Sequence, residues 1–204
     1  MSTAGLSEGR ALCFIGGWGS TEELWRWTLT CLRDSLRNYT QAQDRVVVNS
    51  AWGELTQSAP HFLNWADCIR DWPGAQASLR ALPESCTLVG WSLGGLLALR
   101  AVLEMGTSTK IAALVLLSAT PCMCADAAYP GADRRMLTAM RARMSRTPDA
   151  VLGDFARQCA APDGDEETRR SWLQQAEQFS GEELAAGLQC LDALDLRERL
   201  RDER

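Results

Sequence analysis

Four stretches of the chain are apolar at successive positions rather than at alternate ones: residues 11–16 (ALCFIG), 45–50 (RVVVNS), 86–90 (CTLVG) and 111–118 (IAALVLLS). Strands covered on both faces read this way. Helical spacing separates them. Residues 22–36 carry Leu24, Trp27, Leu32 and Leu36 on one side, after Ser20 or Thr21 as a candidate N-cap. Residues 62–82 are less regular, and Pro73-Gly74 is expected to break them. Residues 93–105 are strongly apolar and stop near Gly106. This alternation predicts an α/β fold: a parallel sheet with helices on both faces.

The pattern changes after Ser118. Residues 120–189 contain amphipathic helical pieces and no convincing strand, with breaks at Pro130-Gly131, Pro148 and Pro162-Asp163-Gly164. The expected division is a core over 1–119, a helical lid over 120–190 and a charged tail over 191–204. In the lid, Met136, Met140 and Met144 share one side. The basic residues Arg134, Arg135, Arg141, Arg143 and Arg146 are interspersed among them, with no acid in the segment 134–146. On these residues alone, a solvated arginine face and a core methionine stripe are the expectation.

Composition narrows the class. A chain of 204 residues, 46% hydrophobic and 23% charged, is an ordinary globular one, long enough for one domain with an added subdomain. A net charge of -5 argues against a general nucleic-acid binder. The N-terminal MSTAGLSEGR lacks the basic start and apolar core of a signal peptide, and no apolar run is long enough to span a membrane. A cytoplasmic location is therefore expected. The eight cysteines are scattered without a C-x-x-C pair, so buried reduced thiols are expected and no metal site or cofactor is.

Gly90-Trp91-Ser92-Leu93-Gly94 is a G-x-S-x-G sequence. It sits where that motif works, with a strand leading in and a helix leading out. The turn holds a serine nucleophile in strained backbone geometry, and Gly90, Gly94 and Gly95 leave room for its packing. Acyl transfer also needs donors aimed at the developing oxyanion. The amide of Leu93 is one candidate. The other is the amide of Trp18 in FIGGWGS, where Gly16, Gly17 and Gly19 are expected to let the backbone approach a substrate. A serine also needs a base. The chain has one histidine, His61, upstream of the serine, where a loop or first-turn helix position with a structural role is expected.

Together these residues resemble the α/β-hydrolase superfamily and, within it, the pimeloyl-[acyl-carrier protein] methyl ester esterase family of biotin synthesis. The likeness rests on FIGGWGSTEELW, with Gly16 in place of a histidine, on LVGWSLGG, on LSATPCMCADAAYPG and on GLQCLDALDLRERL. It implies Ser92 as nucleophile and the amides of Trp18 and Leu93 as oxyanion hole. It also implies a helical lid whose arginines receive an acidic acyl carrier protein, with the methionines along an acyl channel.

The family order is nucleophile, acid, histidine, with the last two beyond the DLR segment. Here the chain ends at Arg204, and the acid and base are expected to be missing. Asp126 follows the fourth strand, where some relatives place the acid, but without a base it would not activate Ser92. In the family's strand order the four strands lie 2-1-3-4, which leaves residues 111–118 as an uncharged edge. The expected consequence is aggregation, cover by another polypeptide, or a shortened gene product. A carrier-binding protein without catalysis, or an esterase or thioesterase for another substrate, are the alternatives.

Overall fold

A computed structural model describes residues 11–42, 59–82, 85–106, 110–161 and 164–202. The described strands are β1 (Ala11–Ile15), β2 (His61–Leu63), β3 (Cys86–Trp91) and β4 (Ile111–Leu117). They form one parallel sheet in the order β2-β1-β3-β4. The order 2-1-3-4 was expected with residues 45–50 as the second strand; among the described residues the place beside β1 is held by His61–Leu63. The segment 45–50 lies outside the described residues, and β2 is the three-residue His61–Leu63.

That strand was hidden because Phe62 and Leu63 read as the start of a helix. The helix instead begins behind Asn64, whose side chain accepts from the Ala66 amide and caps α2 (Trp65–Arg70). The break in this region is at Asp71, not at Pro73-Gly74. Asp71 ends α2 and caps α3 (Trp72–Arg80), where Pro73 occupies an early position that needs no amide donor. The first helix, α1 (Glu22–Ala42), starts where expected, with Thr21 Oγ1 accepting from the Glu23 amide. The helix α4 (Leu93–Met105) follows β3 directly and stops at Gly106, which takes φ 53°.

Beyond β4 the described chain is helical: α5 (Arg134–Met144), α6 (Pro148–Ala160), α7 (Glu166–Ala176), α8 (Gly181–Ala193) and α9 (Arg197–Asp202). Pro148 opens α6. The separation of α7 from α8 was not anticipated. It is written in Ser180-Gly-Glu-Glu183, where the Ser180 hydroxyl and the Glu183 carboxylate cap each other's backbone amides.

These helices and the sheet share one hydrophobic core. Ile15, Leu88 and Leu97 of the sheet region join Leu137, Val151, Trp172, Leu184 and Leu188 of the later helices. A smaller cluster of Phe14, Trp25, Leu29 and Val89 fills the opposite face under α1. Of the cysteines, Cys13, Cys68, Cys86, Cys122 and Cys124 are buried. Cys31 and Cys159 are exposed, so the expectation of buried thiols fails for them. Burial pushes the Cys13 and Cys68 thiols up to about 12, which keeps them protonated and unreactive.

Candidate active site

Ser92 sits between β3 and α4 with φ 53° and ψ -118°. For a residue with a side chain this is a costly conformation, of order 1–3 kcal/mol, and the surroundings must hold it. They do so from both sides. The Ser92 amide donates to the Leu117 carbonyl of β4 (2.9 Å), and the Ser92 carbonyl accepts from the Leu96 amide (3.1 Å), closing the first helical turn. The turn also brings backbone against backbone. A Cβ on Gly90 would lie 2.5 Å from the Gly95 Cα, one on Gly94 would run into the carbonyl oxygens of Ile15 and Gly16, and one on Gly95 would meet Ala119. Close approach therefore requires glycine at all three positions.

The start of α4 supplies free amides. Leu93 is the first helical residue, so its N–H has no carbonyl within the helix to bond. The contact of Gly94 with Ile15 and Gly16 sets the β1–α1 loop beside this helix start. In that loop the Trp18 amide has no acceptor among the described residues. The Trp18 side chain points elsewhere: its indole N–H donates to the Leu184 carbonyl (2.8 Å) and its ring packs edge-on to Phe155.

The loop glycines were expected to make room for substrate. The structure gives that room to other side chains. Gly17 lies under the Trp91 ring, 2.8 Å from where its Cβ would be. Gly19 has φ +72° and lies under the Trp172 ring at 2.6 Å. Gly16 faces the Ser20 hydroxyl at 2.5 Å.

No described residue hydrogen-bonds the Ser92 hydroxyl. His61 is not in a loop or a helical turn, as expected, but begins β2, level with Cys13 and Leu88. One strand separates β2 from β3, and Ser92 lies four residues beyond Leu88. Strand geometry then puts the two Cα atoms about 16 Å apart, roughly 10 Å across the sheet and 13 Å along it. No rotamer brings that imidazole within the ~3 Å of a hydrogen bond.

Asp126 is also committed elsewhere. It accepts from the Ala128 amide and pairs with Arg197 (2.6 Å), and these two contacts lower its pKa. Cys122 and Cys124 are buried in the same region. Desolvation raises the Cys124 pKa, and its thiol faces Asp192 Oδ1 at 3.6 Å. Neither is placed as a nucleophile. Among the described residues no three His, Cys, Asp or Glu side chains are grouped to hold a metal.

The five arginines of residues 134–146, four on α5 and Arg146 just beyond it, do not form one uniform face. Arg134 pairs with Asp192 of α8 (2.6 Å), and Arg143 pairs with Asp154 of α6 (3.2 Å). Arg135 and Arg146 are exposed, Arg141 is half-buried, and none of the three forms an ion pair with a described residue. Acids from neighbouring helices, invisible in the segment itself, neutralise two of the five. The methionines are graded rather than aligned on a channel: Met136 is exposed, Met140 partly buried and Met144 in the core.

The elbow, the neighbouring free amides and the parallel sheet define a class, and comparison with known proteins agrees with it. The model of the alpha/beta hydrolase family matches residues 14–202, and the chain belongs to that family. Among curated proteins it is similar to the pimeloyl-[acyl-carrier protein] methyl ester esterase of Aeromonas hydrophila, 26% identical over 98% of this chain and 75% of the relative. The enzyme of the same name from Aromatoleum aromaticum is 30% identical over 95% of this chain and 74% of the relative. Among solved structures, an esterase from Exiguobacterium antarcticum superposes with a TM-score of 0.66 at 16% identity, over 96% of this chain and 71% of its own. A hydrolase from Oleispira antarctica gives 0.70 at 14% identity, over 96% and 70%. No helix among the described residues is long and apolar enough to cross a membrane.

Proposed function

We propose that this chain is a cytoplasmic serine carboxylesterase, with Ser92 as its nucleophile, acting on the methyl ester of a pimeloyl group carried by acyl carrier protein. One observation carries the reading: Ser92 is held at φ 53° at the head of α4, where the Leu93 amide has no partner among the described residues and Gly94 packs against the loop that carries the equally unpartnered Trp18 amide. In the reaction, Ser92 Oγ attacks the ester carbonyl carbon while a base takes its proton. The carbonyl oxygen becomes an oxyanion between the two amides. Methanol then leaves with that proton, and water hydrolyses the acyl-Ser92 ester by the same steps. The relatives' name supports the substrate. So do the exposed Arg135 and Arg146, which form no ion pair with a described residue and suit an acidic carrier. If the base is a histidine, it comes from outside these 204 residues, because the only histidine here is His61.

The test is covalent labelling of the purified chain with a fluorophosphonate probe, read by mass spectrometry at Ser92. Labelling that disappears in Ser92→Ala supports the reading. A chain that stays unlabelled while a full-length relative labels readily has no activity as it stands.

The absence of any partner for the Ser92 hydroxyl among the described residues favours a second reading, a carrier-binding protein without catalysis. It predicts that Arg135→Glu with Arg146→Glu weakens binding of an acyl carrier protein by at least about tenfold. Those positions are better probes than Arg143, whose reversal would also set it against Asp154. Unchanged affinity removes the docking surface from both readings.

A further inference from the structure

Gln175 lies on α7, far in sequence from the β1–α1 loop, yet it holds that loop. It is 5% exposed, and with Ser20 it makes up the buried polar residues of the described chain. Its Oε1 accepts from the Thr21 amide (3.0 Å) and from the Thr21 hydroxyl (3.3 Å), while its Nε2 donates to the Ser171 carbonyl (3.4 Å). A buried amide is costly unless its hydrogen bonds are made, so the site is built around these contacts.

The rest of the loop is tied as well. The Gly17 carbonyl accepts from the Ser20 amide (3.0 Å) and hydroxyl (2.8 Å), and the Ser20 carbonyl accepts from the Trp65 indole (3.2 Å). The Trp18 indole is anchored on Leu184. Between these anchors stands Gly19 at φ +72°, where the chain bends in a conformation that glycine allows. Trp18 precedes this bend and Thr21 follows it. An oxyanion donor accelerates a reaction only when it is fixed beforehand, and a bend beside it must be held on both sides. The Trp18 indole holds one side, and Gln175 holds the other.

We propose that Gln175 is a positioning residue: by gripping Thr21 it fixes the loop that presents the Trp18 amide, and it makes α7 part of the acyl-transfer site. The proposal rests on reading Ser92 as the nucleophile and the Trp18 amide as its oxyanion donor. Trp172, one turn back on α7, closes over Gly19 and reinforces the same grip.

Two variants of the 204-residue chain test it. Gln175→Met keeps the length and removes the acceptor. Gln175→Glu, protonated when buried, keeps a carbonyl acceptor. Gln175→Leu replaces the Met variant if that one does not fold. Two quantities are measured on folded protein: the rate of fluorophosphonate labelling at Ser92, and the hydrogen exchange and chemical shift of the Thr21 and Trp18 amides by NMR. Gln175→Met slows labelling by about tenfold or more, since deleting a donor outright costs 10²–10³. It also deprotects the Thr21 amide and shifts that of Trp18, while Gln175→Glu stays within about threefold of the wild type. Wild-type labelling and Thr21 protection in Gln175→Met overturn the proposal, and so does a Glu variant as slow as the Met variant. If the wild-type chain does not label, it has no activity as it stands, and that result does not bear on Gln175. The amides then decide the positioning role: their displacement in Gln175→Met supports it and unchanged amides overturn it.

Discussion

The β1–α1 loop and the strand β4 flank the same serine and are treated in opposite ways. The loop is held by side chains from α2 and α7 and by the Trp91 ring at the end of β3, and bonds from Trp18, Ser20, Thr21 and Trp65 fix its course. β4 pairs with β3 on one side only among the described residues. Val115, Leu116 and Leu117 are 40%, 39% and 42% exposed, although side chains on consecutive strand positions face opposite ways. Among the described residues, one side of Ser92 is thus tied down and the other is open. The difference teaches that a strained elbow can be held firmly on one flank while, among the described residues, the other flank is an exposed apolar edge.

The largest effects should fall on the tied side. Ser92→Ala is expected to abolish probe labelling, while His61→Ala leaves the rate within about twofold, as expected for a group beyond hydrogen-bond reach. A tenfold fall in the His61 variant would draw that residue into the site and break the comparison. Next, Gly94→Ala should destabilise the chain by about 3 kcal/mol, because its methyl meets the carbonyls of Ile15 and Gly16 and backbone cannot yield. Urea unfolding measures this, and a midpoint unchanged from wild type would show that the loop is looser than its contacts indicate.

On the open side, the wild-type chain is expected to self-associate, and Leu116→Lys to shift it toward monomer in sedimentation velocity. A monodisperse, thermally stable wild-type monomer would show that the edge is protected. The smallest effect concerns Asp195, which joins the chain after α8 to Cys122. Its hydrogen bonds from Arg197 hold its carboxyl down to about 2. A carboxyl depressed in the folded state stabilises the fold above its unfolded value near 3.9, and that contribution fades as pH falls toward about 2. Asp195→Asn should therefore lower the urea midpoint slightly at neutral pH, with the gap to wild type closing in acid. A gap that is constant with pH would assign the effect to packing instead.

Much of this was legible in the residues because the physics is local. The uninterrupted apolar runs of β1, β3 and β4 announce parallel strands, buried as expected in β1 and β3 but not in β4, none of whose residues is buried, and Gly106 announces the end of α4. The elbow is legible for the same reason, since G-x-S-x-G between a strand and a helix is a statement about one turn. What was missed depends on distant partners. β2 is three residues long and borrows its pairing from β1, so no periodicity reveals it. The two neutralised arginines of α5 depend on Asp154 and Asp192, which other helices bring alongside. Gln175 carries no motif at all; its role arises because α7 packs on a loop 154 residues earlier in the chain.

The sequence by itself determined the parallel α/β layout, the strained turn at Ser92 and the chain's possession of a single histidine. Each is a property of neighbouring residues or of a count. Only the tertiary structure decided that His61 is stranded about two strands from Ser92, that Gly17 and Gly19 lie under tryptophan rings, and that the β1–α1 loop is tied to α7 by a buried glutamine. These follow from which surfaces meet when the core closes, and no short stretch of sequence encodes that.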